Sequence, residues 1–124
     1  MQVYDAGAFI AAERADRSMW IRLKTALDAG EPPVTSTAIL GQVWRGGPRQ
    51  ARTARVTAAV DAIPLTRETA LAAGLLLGRT GTSDVIDAAL VLTAVDGDAI
   101  YTSDPRGIAL LAGAHGVHVD VVPV

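Results

Sequence analysis

The feature that most restricts the fold of this sequence is the alternation of short apolar segments with longer helical ones. Residues 1–4, 34–35, 62–65, 99–102 and 117–122 have the length and composition of buried strands. No two of them are joined by the short turn that closes a β-hairpin, and strands separated by helices pair in parallel. The pattern therefore predicts a central parallel sheet with helices over both faces, an α/β/α sandwich.

Apolar spacing and capping residues predict the helices between these strands. We expect helices over residues 6–14, 18–28, 37–45, 50–59, 67–77, 84–95 and 105–112. Ser18, Thr37, Thr66 and Asp104 are the expected N-caps, and Gly78 is expected to end the helix before a loop over residues 78–83.

Length and composition exclude several classes of protein. A chain of 124 residues with 50% hydrophobic side chains suits a single domain over residues 1–124. The net charge of −2 predicts no broad basic field for nucleic acid, so any RNA contact must come from arginines set locally around an acidic pocket. The absence of cysteine excludes disulfides and thiolate metal sites and suits a reducing cytoplasm. We expect no signal peptide and no contact with a membrane.

Aspartates stand where parallel α/β sheets place their sites, beyond the carboxyl ends of strands. Asp5 follows the first predicted strand and Asp104 follows the strand over residues 99–102. Asp84 and Asp87 are three residues apart near the start of a helix and therefore share a face. Converging carboxylates repel each other, and a divalent cation would neutralise them. Taken one at a time, the residues are better explained by capping of a helix, or by a favourable place near a helix N-terminus, than by metal binding, and the two roles are compatible.

Four segments together resemble a known family in their order and spacing. They are Val3-Tyr4-Asp5-Ala6, Val43-Trp44-Arg45-Gly46-Gly47, the stretch over residues 78–88 and Thr102-Ser103-Asp104-Pro105. Over nearly the whole chain, the sequence resembles the PIN-domain toxins of the VapC type from VapBC toxin–antitoxin modules. The resemblance implies a Rossmann-like sandwich and a Mg²⁺- or Mn²⁺-dependent endoribonuclease. It also implies inhibition by a VapB-type antitoxin and a homodimer.

The resemblance assigns roles to individual residues. It places the metal-binding acids of the family on Asp5, Asp87 and Asp104 and an accessory catalytic acid on Asp84. The remaining catalytic position, normally a glutamate, is Gln42 here. Glutamine has nearly the same shape as glutamate but no charge, and its amide NH₂ group is a donor that a cation repels. We therefore expect weakened metal binding and activity. A degenerate toxin, an active variant that uses Asp84 instead, and an engineered silencing substitution all remain open.

Other polar residues flank the acidic segments. Arg45 and Arg79 are candidate contacts to RNA phosphates, because a guanidinium group matches a phosphate with paired hydrogen bonds. Solvated surface arginines are the alternative. Thr102 and Ser103 either orient a water or a phosphate or serve as turn-forming hydroxyls.

Two other functions compete with the ribonuclease. The first is a catalytically impaired binding module that binds antitoxin or RNA without cleaving, which Gln42 favours. The second is a different α/β metal enzyme, such as a phosphatase. A serine hydrolase is disfavoured, because the sequence lacks the Gly-x-Ser-x-Gly elbow.

Overall fold

The centre of the protein is a parallel sheet, as the alternation of strands and helices predicts. The computed structural model describes residues 1–124. Its strands are β1 (Gln2–Tyr4), β2 (Val34–Ser36), β3 (Asp61–Ile63), β4 (Ala99–Thr102) and β5 (Asp120–Pro123). They form a five-stranded sheet in the order β3-β2-β1-β4-β5, and every neighbouring pair is parallel.

Seven α-helices connect and cover the strands. They are α1 (Ala6–Glu13), α2 (Arg17–Asp28), α3 (Thr37–Val43), α4 (Ala51–Ala59), α5 (Arg67–Thr80), α6 (Val85–Thr93) and α7 (Pro105–His115), with a short 3₁₀ turn at Pro48–Gln50 before α4. Helix α1 packs against α2, α3 and α4, whereas α5, α6 and α7 pack against one another. Because crossover connections are right-handed and the strand order reverses direction after β3, these two groups cover opposite faces of the sheet. The predicted α/β/α sandwich is confirmed.

The core lies between the sheet and the two helix layers and is built mainly from aliphatic side chains and alanine. Val3, Tyr4 and Ile100, from the central strands β1 and β4, are completely buried. The ring of Tyr4 makes an edge-to-face contact with Phe9 on α1 and another with Tyr101 on β4. These contacts fix α1 against β1 and β4, and therefore fix the residues that follow both strands.

One departure from the sequence prediction is at the end of α5. Gly78 does not end this helix, which continues to Thr80 and ends where Gly81 adopts a left-handed conformation with φ of 67°. Burial of Leu76 offsets the cost of a glycine inside a helix, which is about 1 kcal/mol. The predicted loop over residues 78–83 is therefore wrong in its first half, and Arg79 lies in the last turn of α5.

Two predicted caps are also displaced toward the preceding residues. Asp16, not Ser18, caps α2, because its side chain accepts a hydrogen bond from the backbone N–H of Met19. Ser36, not Thr37, caps α3, and Thr37 instead accepts a hydrogen bond from the backbone N–H of Leu65. Both aspartate and serine cap well, so the type of signal was correct and its position was not.

The last helix and the last strand also differ in their bounds. Helix α7 extends to His115, three residues beyond the predicted end at 112, and Gly116 ends it in a left-handed conformation. The final strand begins at Asp120 rather than 117. None of the helices is both long and apolar enough to cross a lipid bilayer.

Candidate functional site

The sheet order creates a crevice between β1 and β4. From β1 the chain moves through β2 to β3 on one side, then returns to form β4 and β5 on the other side. The helices on the two sides leave in opposite directions, and a crevice opens at the carboxyl ends of the strands where the direction reverses. Asp5 directly follows β1, and Ser103 and Asp104 directly follow β4. The topology therefore brings two of the sequence-predicted acids to one edge of the sheet.

A single hydroxyl joins the two strand ends. The Thr102 hydroxyl donates a hydrogen bond of 2.6 Å to Oδ2 of Asp5 and accepts one of 3.0 Å from the backbone N–H of Asp104. Both Thr102 and Asp5 are buried. Oδ1 of Asp5 also accepts a hydrogen bond of 2.7 Å from the backbone N–H of Ala6, which makes Asp5 the N-cap of α1. Thr102 thus connects the Asp5 carboxylate to the backbone of Asp104, and its hydroxyl proton is donated to Asp5.

Gly7 allows α1 to approach the turn after β4 this closely. A Cβ atom added at Gly7 would lie 2.7 Å from the backbone nitrogen of Ser103 and 2.9 Å from its Cβ atom. Real Cβ contacts are essentially never this short, and one of the atoms involved is backbone. No pattern in the sequence indicates Gly7, because its importance depends on a neighbour far along the chain.

The other two acids come from the opposite layer, at the start of α6. Asp84 caps this helix, and its Oδ1 accepts hydrogen bonds of 3.0 Å from the backbone N–H groups of Ile86 and Asp87. Burial, together with the negative charges of Asp5, Asp84 and Asp104, raises the pKa of Asp87 from its usual 3.8 to about 7. The charges of the other three aspartates therefore reach Asp87 at this edge of the sheet.

Asp104 has a structural role at the same time. It caps α7, with Oδ1 accepting a hydrogen bond of 3.1 Å from the backbone N–H of Gly107, and Pro105 occupies the first position of the helix. A Cβ atom at position 107 would collide with the Asp104 carboxylate. Asp5, Asp84 and Asp104 are all helix caps, so the capping interpretation holds for these three.

The chemistry of these side chains fits a hard divalent cation. Each carboxylate offers more lone pairs than its capping hydrogen bonds use. The mutual repulsion that raises the pKa of Asp87 would be relieved by positive charge. No three His, Cys, Asp or Glu side chains stand together closely enough to enclose an ion by themselves. Mg²⁺ does not require such a cluster, because it is usually bound by one or two carboxylates and keeps several waters.

Gln42 lies in a groove beside the acids rather than among them. This groove has a volume of about 780 Å³, and none of the four aspartates lines it. Its connection to the acids is Ala6, the residue after Asp5, which lines the same groove. Gln42 itself is exposed. The resemblance includes Gln42 in the catalytic set with these acids; the structure places it in this groove, and its part in catalysis stays a prediction.

The two candidate RNA-binding arginines lie on different layers. Arg45 lines the groove with Gln42, and its guanidinium donates hydrogen bonds to the carbonyls of Gly41 and Trp44. Arg79 is exposed on α5, in the opposite layer. Their roles in RNA binding stay predictions.

Comparison with known proteins identifies the fold. No protein-family model matches the sequence, and no curated protein matches it. A solved structure of VapBC2 from Rickettsia felis, bound to a DNA fragment from their promoter, contains a similar chain. The two chains are 10% identical, superpose with a TM-score of 0.71, and match over 97% of each. Likeness at this identity shows the fold, and it confirms the PIN-type fold that the sequence resemblance implied.

Proposed function

We propose that this protein is a divalent-metal-dependent endoribonuclease toxin of a type II toxin–antitoxin system. It would hydrolyse RNA phosphodiester bonds at the edge of the sheet where β1 and β4 end. The observation that carries the proposal is the hydrogen-bonded bridge from Asp5 through Thr102 to the backbone of Asp104. This bridge joins two acids at the crevice where an open parallel sheet binds its ligand, in a chain with the fold of a PIN domain.

Asp5, Asp87 and Asp104 are the residues that would hold Mg²⁺ or Mn²⁺, with one or two of the carboxylates as direct ligands and waters completing the shell. A bound ion would supply a water activated for attack and would stabilise the charge that develops on the phosphate. The hydrogen bond from Thr102 holds the Asp5 carboxylate in place at the end of β1. Asp84 caps α6 through the backbone N–H of Asp87 and adds negative charge beside it. Asp84 therefore orients Asp87 and strengthens the attraction for a cation.

A second candidate function is favoured by Gln42. At the position where the family carries a glutamate, this chain presents a neutral amide in the groove next to the acids. The site then has one carboxylate fewer than the family pattern. A catalytically impaired PIN-domain module, which binds antitoxin or RNA without cleaving, would keep the fold and the groove and lose the reaction.

The partners belong to the same proposal. The solved neighbour is a VapBC2 assembly on promoter DNA. We propose by analogy that this chain also pairs with a VapB-type antitoxin, forms a homodimer and acts in the cytoplasm. The RNA target lies beyond this analogy.

RNA cleavage in Mg²⁺ or Mn²⁺ tests the proposal and separates the two candidates. The natural chain, Gln42→Glu and Asp5→Asn would be compared on total RNA and on single-stranded oligonucleotides, with circular dichroism to verify folding. We expect Gln42→Glu to cleave faster than the natural chain and Asp5→Asn to be inactive. Cleavage by Asp5→Asn at the natural rate would show that the site is assigned wrongly. Absence of cleavage by folded Gln42→Glu in either metal would favour the binding module.

A further inference from the structure

The groove that contains Gln42 lies between α1 and the segment that connects α3 to α4, in one helix layer. One wall is the face of α1 that carries Ala6, Ile10 and Glu13, which follow the spacing of a single helix face. The opposite wall runs from the end of α3 to the start of α4 and includes Gln42, Arg45, Arg49, Gln50 and Thr53. Since Ala6 directly follows Asp5, the channel opens toward the acidic edge of the sheet.

Gln50 holds the loop that forms this second wall. Its side chain is buried, and Oε1 accepts hydrogen bonds of 2.6 Å from the backbone N–H of Arg45 and 2.9 Å from that of Gly46. Its Nε2 donates a hydrogen bond of 2.7 Å to the carbonyl of Val43. Gly46 and Gly47 have φ values of 76° and 89°, so the turn depends on glycine. One glutamine side chain thus satisfies three backbone groups of an irregular loop and fixes its shape.

The fixed loop presents cationic side chains that no carboxylate neutralises. Arg45 and Arg49 flank the turn, and neither takes part in any ion pair of the structure. Glu13 is the single acid that lines the groove. The groove therefore has a local positive charge in a protein whose net charge is −2.

A buried hydroxyl in the same wall lacks a partner. Thr53 is 1% exposed, and its Oγ1 makes no hydrogen bond in the structure. Buried polar groups are nearly always hydrogen-bonded, so this covered hydroxyl is an exception in the groove wall.

We propose that this groove binds the sugar–phosphate backbone of a single-stranded RNA segment next to the scissile bond. Arg45 and Arg49 would hold its phosphates, and Gln50 is the positioning residue that fixes the loop carrying both. Guanidinium groups pair with phosphate through parallel hydrogen bonds, and sequence-tolerant strand binding uses a positively charged groove that follows the backbone. The choice of RNA rests on the proposed function, whereas the groove and its residues do not.

Fluorescence anisotropy with a labelled single-stranded RNA oligonucleotide tests the groove directly. In EDTA the strand is not cleaved, so the measurement reports binding alone. We expect Arg45→Ala and Arg49→Ala each to weaken binding several-fold and to reduce the slope of log affinity against log salt by about 0.7, the value for one phosphate of a single strand. Arg67→Ala, an exposed arginine on α5 in the opposite layer, is the matched control and should bind like the natural chain.

Gln50→Leu tests the positioning role separately. This change keeps the approximate size of the side chain but removes its three hydrogen bonds. If Gln50 acts through the arginines, Gln50→Leu lowers the salt slope, and its effect is not additive with Arg45→Ala in a double-mutant cycle. A merely structural effect would lower the unfolding midpoint and leave the salt slope unchanged, which would overturn the positioning role.

The remaining outcomes separate this inference from the proposed function. Unchanged RNA affinity in Arg45→Ala and Arg49→Ala would overturn the groove, even if the protein cleaves RNA. Groove-dependent binding without cleavage in any metal would uphold the groove and count against the ribonuclease.

A labelled poly-glutamate peptide provides the last comparison. If the peptide binds as tightly as RNA and with the same dependence on Arg45, the groove is a site for an acidic protein segment and the RNA assignment fails.

Discussion

The Thr102 hydroxyl donates a hydrogen bond of 2.6 Å to the Asp5 carboxylate, and both residues are buried. The same oxygen accepts the backbone N–H of Asp104. A threonine at the end of β4 therefore sets the separation of two acids that belong to different strands. The geometry of the acidic edge depends on this one side chain as much as on the acids themselves.

Replacing this hydroxyl should damage stability and function together. Thr102→Val keeps the shape of the side chain but leaves Oδ2 of Asp5 and the backbone N–H of Asp104 without their partner. A buried polar group that loses its partner costs about 1–3 kcal/mol, so we expect a loss of this order in the free energy of unfolding. Urea denaturation measures the loss, and RNA cleavage should fall with it.

Thr102→Ser is the matched control, because it keeps the hydroxyl and removes only a methyl group. It should retain most of the cleavage activity and the Asp5 hydrogen bond. Equal activity in Thr102→Val and Thr102→Ser would mean that the bridge does not set the geometry of the site.

Gly7→Ala should separate α1 from the turn after β4. The added Cβ atom would lie 2.7 Å from the backbone nitrogen of Ser103, and neither backbone can withdraw while Thr102 bonds Asp5. Forcing an extra carbon into a packed contact typically costs about 1–3 kcal/mol. We expect a thermal denaturation midpoint below that of the natural chain, together with reduced cleavage.

Gly78→Ala is also a glycine-to-alanine change, but we expect it to shift the thermal denaturation midpoint in the opposite direction. Gly78 lies inside α5, and an added Cβ atom there meets no heavy atom within 4 Å. Alanine in a helix interior is favoured over glycine by about 0.5–1 kcal/mol, so Gly78→Ala should raise the midpoint. If both glycine variants shift the midpoint in the same direction, the close approach at Gly7 is not what sets its effect.

The fold was predictable from local signals, and the errors in the predicted helix and strand bounds are local as well. Alternating strands and helices have few arrangements other than a covered parallel sheet, so the architecture followed from the pattern. The end of α5 was misplaced because glycine was taken as a stop, although burial of Leu76 outweighs its small cost in a helix. The left-handed residue that ends α5 is Gly81.

The aspartates of the candidate site were predictable from local signals. Asp5 and Asp104 were predicted from the ends of strands, and Asp84 and Asp87 from their spacing at the start of a helix. Gly7 and Gln50 were missed, since Gly7 matters through its contact with Ser103 and Gln50 through a loop that the sequence showed only as irregular. Neither the close approach at Gly7 nor the hydrogen bonds of Gln50 leave a pattern in a single sequence.

The stability of the metal-free protein should depend on pH through Asp87. Folding raises the pKa of this residue from 3.8 to about 7, with burial as the main cause, so the folded state binds the proton more tightly than the unfolded chain. Stability therefore falls as the pH rises from about 4 to 7 and changes little from this source above that window. Asp87→Asn removes the effect, and in EDTA the variant should melt higher than the natural chain at pH 8.

Below pH 4 the melting temperatures of the natural chain and Asp87→Asn should converge, because a protonated aspartate and an asparagine are both uncharged and similar in shape. Thermal melts in EDTA from pH 4 to pH 8 follow the difference directly. Parallel curves over that range would mean that folding does not raise the pKa of Asp87. Stabilisation of the natural chain by added Mg²⁺ at pH 8, but not of Asp87→Asn, would connect the same carboxylate to the cation.

Restoring a carboxylate at position 42 should strengthen ion binding without changing the fold. Gln42 is exposed in the groove that reaches Ala6, so a glutamate there needs no burial of charge and extends the negative field of Asp5 toward the groove. We expect Gln42→Glu to bind Mn²⁺ roughly tenfold more tightly in calorimetric titration, which corresponds to about 1.4 kcal/mol. Gln42→Met, similar in shape but uncharged, should bind like the natural chain. Equal affinity in Gln42→Glu and Gln42→Met would place position 42 too far from the ion to act on it, and the four aspartates alone would then set the affinity.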